Sequence, residues 1–179
     1  MAFKDGDRRD LVVVLAPLLA GSMVAALAGS PSLGTVLASG NGTVLVVPVP
    51  SSSAAVRRRG DAPLDLLTRA AVRRIGRPER ELRFAPALRL RRRVADQAGL
   101  DHGQRAENLE QAIGVQRRWL ASVDGASVLL VDDVLTTGAT LVEAARALRA
   151  AGARHIAAAT VAATHRRGLP RVTPGLGPE

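Results

Sequence analysis

The chain has 179 residues, 47% of them hydrophobic and 2% aromatic, no cysteine and a net charge of +9. That is enough apolar material for one domain built on Leu, Val, Ile and Ala, and it excludes a disordered chain. The missing cysteine excludes disulfides, thiolate zinc sites and a Cys nucleophile, while three aromatics, Phe3, Phe84 and Trp119, exclude a base-stacking platform.

Residues 11–29 carry no charge and follow Lys4, Arg8 and Arg9, so they imitate a signal peptide. Asp5, Asp7 and Asp10 break the basic stretch and Pro17 interrupts a run that is short for a membrane span. The expectation is a core-packed amphipathic helix of a cytoplasmic protein with no membrane association. Leu11, Val14, Leu15, Leu18 and Leu19 give its helical spacing, Asp10 its N-cap and Gly29 to Gly34 its stop.

Val44-Leu-Val-Val, bounded by Gly42 and Pro48, reads as a buried parallel strand. Leu64, Leu67, Ala71 and Ile75 mark a second helix that ends at Gly76. Between residues 57 and 93, thirteen arginines face only Asp61, Asp65, Glu79 and Glu81, which accounts for the whole net charge. One basic segment on a neutral body suits a polyanionic small ligand or a nucleic-acid backbone.

Glu81 to Phe84 is expected as a strand, 89–103 as a mobile, polar segment, and 104–113 as a helix. After the turn at Asp124-Gly125 come a buried strand over 127–131, a helix over 138–151 with Leu141, Ala145 and Leu148 on its apolar face, and a C-cap at Gly152. His155 to Val161 reads as another buried strand. Residues 1–165 form one domain in this reading, with 166–179 a disordered tail. Strands separated by helices, with no hairpin signals, predict an α/β fold with a parallel sheet flanked by helices.

The strand over 127–131 runs into Asp132 and Asp133, then Thr136-Thr137-Gly138-Ala139-Thr140 opens the next helix. In open parallel sheets, ligands sit beyond the carboxyl ends of the strands. Two carboxylates there can accept from vicinal hydroxyls, although adjacent residues of a strand point opposite ways, so both reach one cleft only if the strand bends. The loop offers backbone N–H groups, hydroxyls and the positive end of a helix dipole, the features that bind phosphate. Together they describe a site for a ribose 5-phosphate. No Gly-Lys-Ser/Thr follows, so a Walker loop is excluded. An Asp pair serving only as N-cap and turn former is the bland alternative.

This stretch resembles the signature of the type I phosphoribosyltransferases. Phe3-Lys4-Asp5-Gly6, Val46-Val47-Pro48-Val49-Pro50, Arg57 to Gly60, and Gln97-Ala98-Gly99-Leu100 with Arg105 and Asn108 resemble the competence-protein ComF/GntX branch of that family. The chain departs from the branch in lacking the cysteine-rich zinc ribbon and in carrying Asp61-Ala62-Pro63 where Phe-Asn-Gln is usual.

The resemblance implies a type I fold with a small variable hood, here residues 1–40 and 163–179. It implies phosphoribosyl pyrophosphate as substrate, Mg²⁺ as cofactor held by the substrate's own oxygens, and no protein metal site. Pro50, Ser51 and Ser52 would contact pyrophosphate; Asp132 and Asp133 would bind the ribose and stabilise an oxocarbenium-like state; Thr136, Thr137, Gly138, Ala139 and Thr140 would hold the 5-phosphate. Arg91 and Arg92 are the expected catalytic cations, with Arg57 to Arg59 as another source of positive charge for the leaving pyrophosphate. Arg105 and Asn108 share a helix face in this reading. A homodimer is one expected assembly, and the acceptor is a nitrogenous base that the sequence does not name.

A second expectation is a non-catalytic accessory protein of DNA uptake that keeps the pocket and grips nucleic acid through Arg57 to Arg93. His102, His155 and His165 are scattered without metal spacing. Trp119 beside Arg117 and Arg118 could stack on a base, but a lone aromatic near a strand more often packs.

Overall fold

The computed structural model describes residues 10–40, 42–50, 62–76, 81–91 and 111–163. Their elements follow the chain as α1 (Asp10–Ala28), α2 (Pro31–Ala38), β1 (Val44–Pro48), α3 (Pro63–Ile75), β2 (Leu82–Phe84), β3 (Leu88–Leu90) and β4 (Ile113–Val115). A turn of 3₁₀ helix over Arg117–Trp119 then leads into α4 (Leu120–Val123), β5 (Ser127–Leu135), α5 (Ala139–Ala150) and β6 (His155–Ala163).

β2, β1, β5 and β6 form a parallel sheet in that order. β1 and the first five residues of β5 are buried throughout, as continuous apolar strands of a parallel sheet must be. The crossover through α3 moves from β1 outward to β2, and the crossover through α5 moves from β5 outward to β6. Right-handed crossovers running in opposite directions put their helices on opposite faces, so the strand order switches between β1 and β5. That switch point is where a ligand crevice opens at the carboxyl edge.

α3 matches its sequence pattern: Leu64, Leu67, Thr68 and Ala71 are buried, and Gly76 closes the helix in the left-handed region at φ 70. α1 departs from its pattern. It buries Ala16, Leu19, Ala20, Met23 and Leu27, whereas Val13, Val14, Leu18 and Val24 are exposed. The helix is therefore apolar on both sides rather than amphipathic, which is why spacing alone put the exposed Val14 and Leu18 on one face with Leu15 and Leu19, which do pack on the core. Among the described residues Leu11–Ala28 is the one helical stretch long and apolar enough to cross a membrane.

α2 was not anticipated: Gly29 does end α1, but Pro31 starts a new helix in which Gly34 is an interior residue. Residues 10–38, expected in the hood, instead pack against α3 and the sheet, with Leu33 and Leu37 buried.

Residues 111–113, expected as the end of a helix, are a turn and the start of β4, while Arg89, expected in a mobile segment, lies in β3 opposite Gly114. The antiparallel β3–β4 ribbon escaped detection because its strands are three residues each and far apart in sequence. Gln116 fixes the bend that carries the chain from β2 into it, donating from Nε2 to the carbonyls of Pro86 at 2.8 Å and Leu88 at 3.1 Å. The tail from 166 lies outside the described residues.

Candidate functional site

β5 is the longest strand together with β6, and it continues past the 127–131 expected from its apolar run. Its pairing with β6 persists through Leu135, whereas β1 is exhausted at Pro48, opposite Val131. The Asp pair thus stands inside a paired strand at the level where one neighbour has ended. Val49 still donates its N–H to the Val131 carbonyl at 2.9 Å, so the chain leaves β1 toward Pro50 from the level of Val131, one residue before the Asp pair. Pro50 is half-buried, and Ser51 and Ser52 lie outside the described residues.

Asp132 and Asp133 are each 7% exposed. The Val134 N–H donates to Asp133 Oδ1 at 2.9 Å, so a backbone donor helps hold this carboxylate where it is buried.

Beyond Leu135 the chain bends through Thr136 to Gly138 and enters α5. Gly138 occupies the N-cap position at φ 78, a left-handed conformation that a side chain strains. Thr137 Oγ1 accepts the Ala139 N–H at 3.2 Å, tightening the loop beneath the first turn. Thr136 is exposed, and Thr137, Gly138, Ala139 and Thr140 are half-buried. A helix start leaves N–H groups without partners from its own turn; Thr137 takes that of Ala139, and the N-cap residue, Gly138, has no side chain to take another. The loop can therefore receive an anion while the adjacent carboxylates receive hydroxyls.

α5 buries Glu143, Ala144, Ala147 and Leu148. The expected face of Leu141, Ala145 and Leu148 is rotated, because α5 packs against the ribbon as well as the sheet. Glu143, 6% exposed, accepts the Ile113 N–H at 3.2 Å. Arg146 brackets the same carboxylate, donating from Nε at 2.6 Å and from Nη2 at 2.9 Å, and reaches the Ile113 carbonyl at 3.4 Å. Burial pushes the Glu143 carboxyl up, but the hydrogen bonds from Arg146 and Ile113 and the charges of Arg146 and Arg91 outweigh it and hold the carboxyl below its usual range. The sequence offered one signal for this cluster, the Glu-to-Arg spacing of three on a helix.

Arg91 is exposed at the end of β3 with its N–H donated to the Ala112 carbonyl at 2.7 Å. Arg92 lies outside the described residues, as do Arg57 to Arg59, residues 92–103, Arg105, Asn108, His102 and His165. His155 is a half-buried residue at the start of β6. Of the arginines in the basic segment, Arg69 lies 4.0 Å over the Phe84 ring and Arg83 lies 5.7 Å over Trp119. Trp119 is a packing residue, set against the core with Nε1 buried. Among the described residues, no group of three or more His, Cys, Asp or Glu is placed to hold a metal.

Residues 85–174, just over half of the chain, match the profile of the phosphoribosyl transferase domain. The chain belongs to the phosphoribosyl transferase family. A ribose-phosphate pyrophosphokinase of Pyrococcus abyssi is 36% identical over 80 residues, which cover 44% of this chain and 27% of that protein. A solved structure described as the allosteric regulatory enzyme of purine biosynthesis aligns over 83% of this chain and 26% of its own at a TM-score of 0.44 and 19% identity. The chain thus spans about a quarter of the length of each of these two proteins.

Proposed function

We propose that this phosphoribosyl transferase family member binds phosphoribosyl pyrophosphate with Mg²⁺ and transfers the 5-phosphoribosyl group to a nitrogenous acceptor, as a cytoplasmic member of the ComF/GntX branch. The observation that carries this reading is the continuity of Asp132 and Asp133 with the Thr136–Thr140 loop at the start of α5, beside the carboxyl end of β1. Buried carboxylates for a ribose diol and a helix start for its 5-phosphate stand in the order the donor requires. Family membership and the likeness to a ribose-phosphate pyrophosphokinase support the same donor class.

In this reading the 5-phosphate docks on the N–H groups of the loop and the ribose hydroxyls donate to Asp132 and Asp133. As the bond from C1 to pyrophosphate breaks, positive charge grows on the sugar and the two carboxylates stabilise it. The departing pyrophosphate takes the electron pair, the acceptor nitrogen attacks C1, and Arg91 on the ribbon is the described cation assigned to balance the leaving charge.

The donor set fits Mg²⁺ carried by substrate oxygens with one or two carboxylates, the common arrangement for this ion, rather than an all-protein cage. When bound, the ion supplies charge to the leaving group. Calorimetric titration of phosphoribosyl pyrophosphate with Mg²⁺ into the wild type and into an Asp132→Asn, Asp133→Asn variant tests the reading. Saturable binding that the variant loses is the expected result, and a wild type that does not bind overturns it.

A further inference from the structure

Glu143 is a buried carboxylate that the donor site as described does not use. It sits four residues beyond Ala139 on α5, roughly 6 Å along the axis from the phosphate loop at 1.5 Å per residue. One partner lies on another element: the Ile113 N–H at 3.2 Å belongs to β4, thirty residues away in sequence. Arg146 ties the same two parts together, with Nε and Nη2 on the carboxylate and Nη2 on the Ile113 carbonyl. The Leu90–Ile113 end of the β3–β4 ribbon is thus fastened to the helix that begins at the phosphate loop.

Arg91 completes the arrangement. It follows β3 directly, and its backbone is pinned to Ala112, the residue before β4. Within an antiparallel pair, positions 89, 91, 112 and 114 share one face. Gly114 leaves that face open, and the Arg91 guanidinium fills the space: a Cβ at Gly114 would collide with Arg91 Nε and lie 2.9 Å from Cζ. The Arg91 charge also acts on the Glu143 carboxylate. Gly114 has ordinary strand geometry, since it is absent from the positive-φ glycines. Its lack of a side chain therefore serves the guanidinium rather than the backbone.

We propose that Glu143 and Gly114 are positioning residues for the pyrophosphate half of the donor site. Glu143 locks the ribbon onto α5, and Gly114 provides the seat in which Arg91 is held toward the leaving group. This rests on the donor reading given above. It assigns the two ends of the donor to separate supports: the Thr136–Thr140 loop takes the 5-phosphate without Glu143, and the ribbon takes pyrophosphate only while Glu143 holds it.

The test is calorimetric titration of phosphoribosyl pyrophosphate with Mg²⁺, and separately of ribose 5-phosphate, into wild type, Glu143→Gln, Gly114→Ala, Arg91→Ala and Glu143→Gln/Arg91→Ala. Thermal melts of each variant check the fold. Each single variant is expected to weaken phosphoribosyl pyrophosphate about tenfold while leaving ribose 5-phosphate within about twofold, and the double variant to be no weaker than Arg91→Ala, because residues acting through one group are non-additive. Equal losses for both ligands, or additive losses in the double variant, would make Glu143 a general stabiliser and overturn the proposal. Unchanged affinity in Glu143→Gln and Gly114→Ala beside a wild type that binds would overturn it alone. A wild type that binds neither ligand would overturn the donor reading and the proposal with it.

Discussion

The Asp133 backbone N–H donates to Oδ1 of Asp132 at 2.8 Å, within a carboxylate pair of which each member is 7% exposed. Placing two adjacent carboxylates at that depth takes them out of water, which costs stability that an apolar pair would not cost. Replacing both with Asn keeps the shape and removes the charge. The melting temperature of the double variant is expected to equal or exceed that of the wild type, while donor binding is lost. A fall of several degrees in a thermal melt would mean that the carboxylates are structural.

Gly138 makes a second prediction at the neighbouring loop. Its φ of 78 is the price of turning from the strand into α5 within three residues. Steric room is not the obstacle, since the first atom a Cβ would meet is Leu135 Cδ1 at 3.6 Å. Gly138→Ala is therefore expected to cost about 1–2 kcal/mol in urea unfolding through backbone strain alone. The same strain should shift the loop N–H groups and weaken ribose 5-phosphate in titration. A loss of stability below about 0.5 kcal/mol would show that the loop adapts.

The parts of the fold that the sequence disclosed are those in which one local signal suffices. β1 and the first part of β5 are continuous apolar runs, and α3 has one buried stripe and a Gly at its end. β6 was legible as a strand but not as the buried one expected: it lies at the sheet edge with Ala159 its one buried residue. The Thr136–Thr140 loop and the Asp pair were legible because strand, carboxylates, small residues and helix follow each other without a gap. Elements defined by contacts distant in sequence were hidden. The β3–β4 ribbon exists through pairing of residues 88–90 with 113–115. Glu143 looks like any surface carboxylate until Ile113 is laid against it. In α1, Val14 and Leu18 are as apolar as Leu19 and Met23, so periodicity carried no information about which side meets α3 and the sheet.

Acid titration should separate two carboxylates with opposite behaviour. Glu143 is held below its ordinary value of 4.5 in the folded protein, so it favours folding above that value, and the contribution fades as pH falls through its lowered folded value. Asp65 is raised above 3.8, chiefly by burial and only partly countered by Arg69, so the folded state takes up its proton first and Asp65 favours folding as pH falls toward 3.8. Glu143→Gln should therefore flatten the loss of stability below pH 4.5. Asp65→Asn should steepen it. Urea midpoints measured between neutral pH and the acid limb give both slopes, and parallel curves for the two variants would contradict the assignment.

The last prediction concerns α1, whose two faces are equally apolar yet unequal in the fold. Leu19 and Met23 are fully buried, whereas Val13 is 76% and Val14 62% exposed. Ser22 adds a directional contact, donating from Oγ to the Thr160 carbonyl of β6 at 2.7 Å. If this docking holds the domain together, Leu19→Ala should cost about 2–5 kcal/mol, because it removes apolar contact and leaves a cavity. Val14→Ala on the outer face should cost less than about 0.5 kcal/mol. Urea unfolding of the two variants measures the difference directly. Equal effects would mean that α1 is not seated on the sheet, and the exposed Val13, Val14, Leu18 and Val24 would then belong to a helix whose burial is supplied from elsewhere.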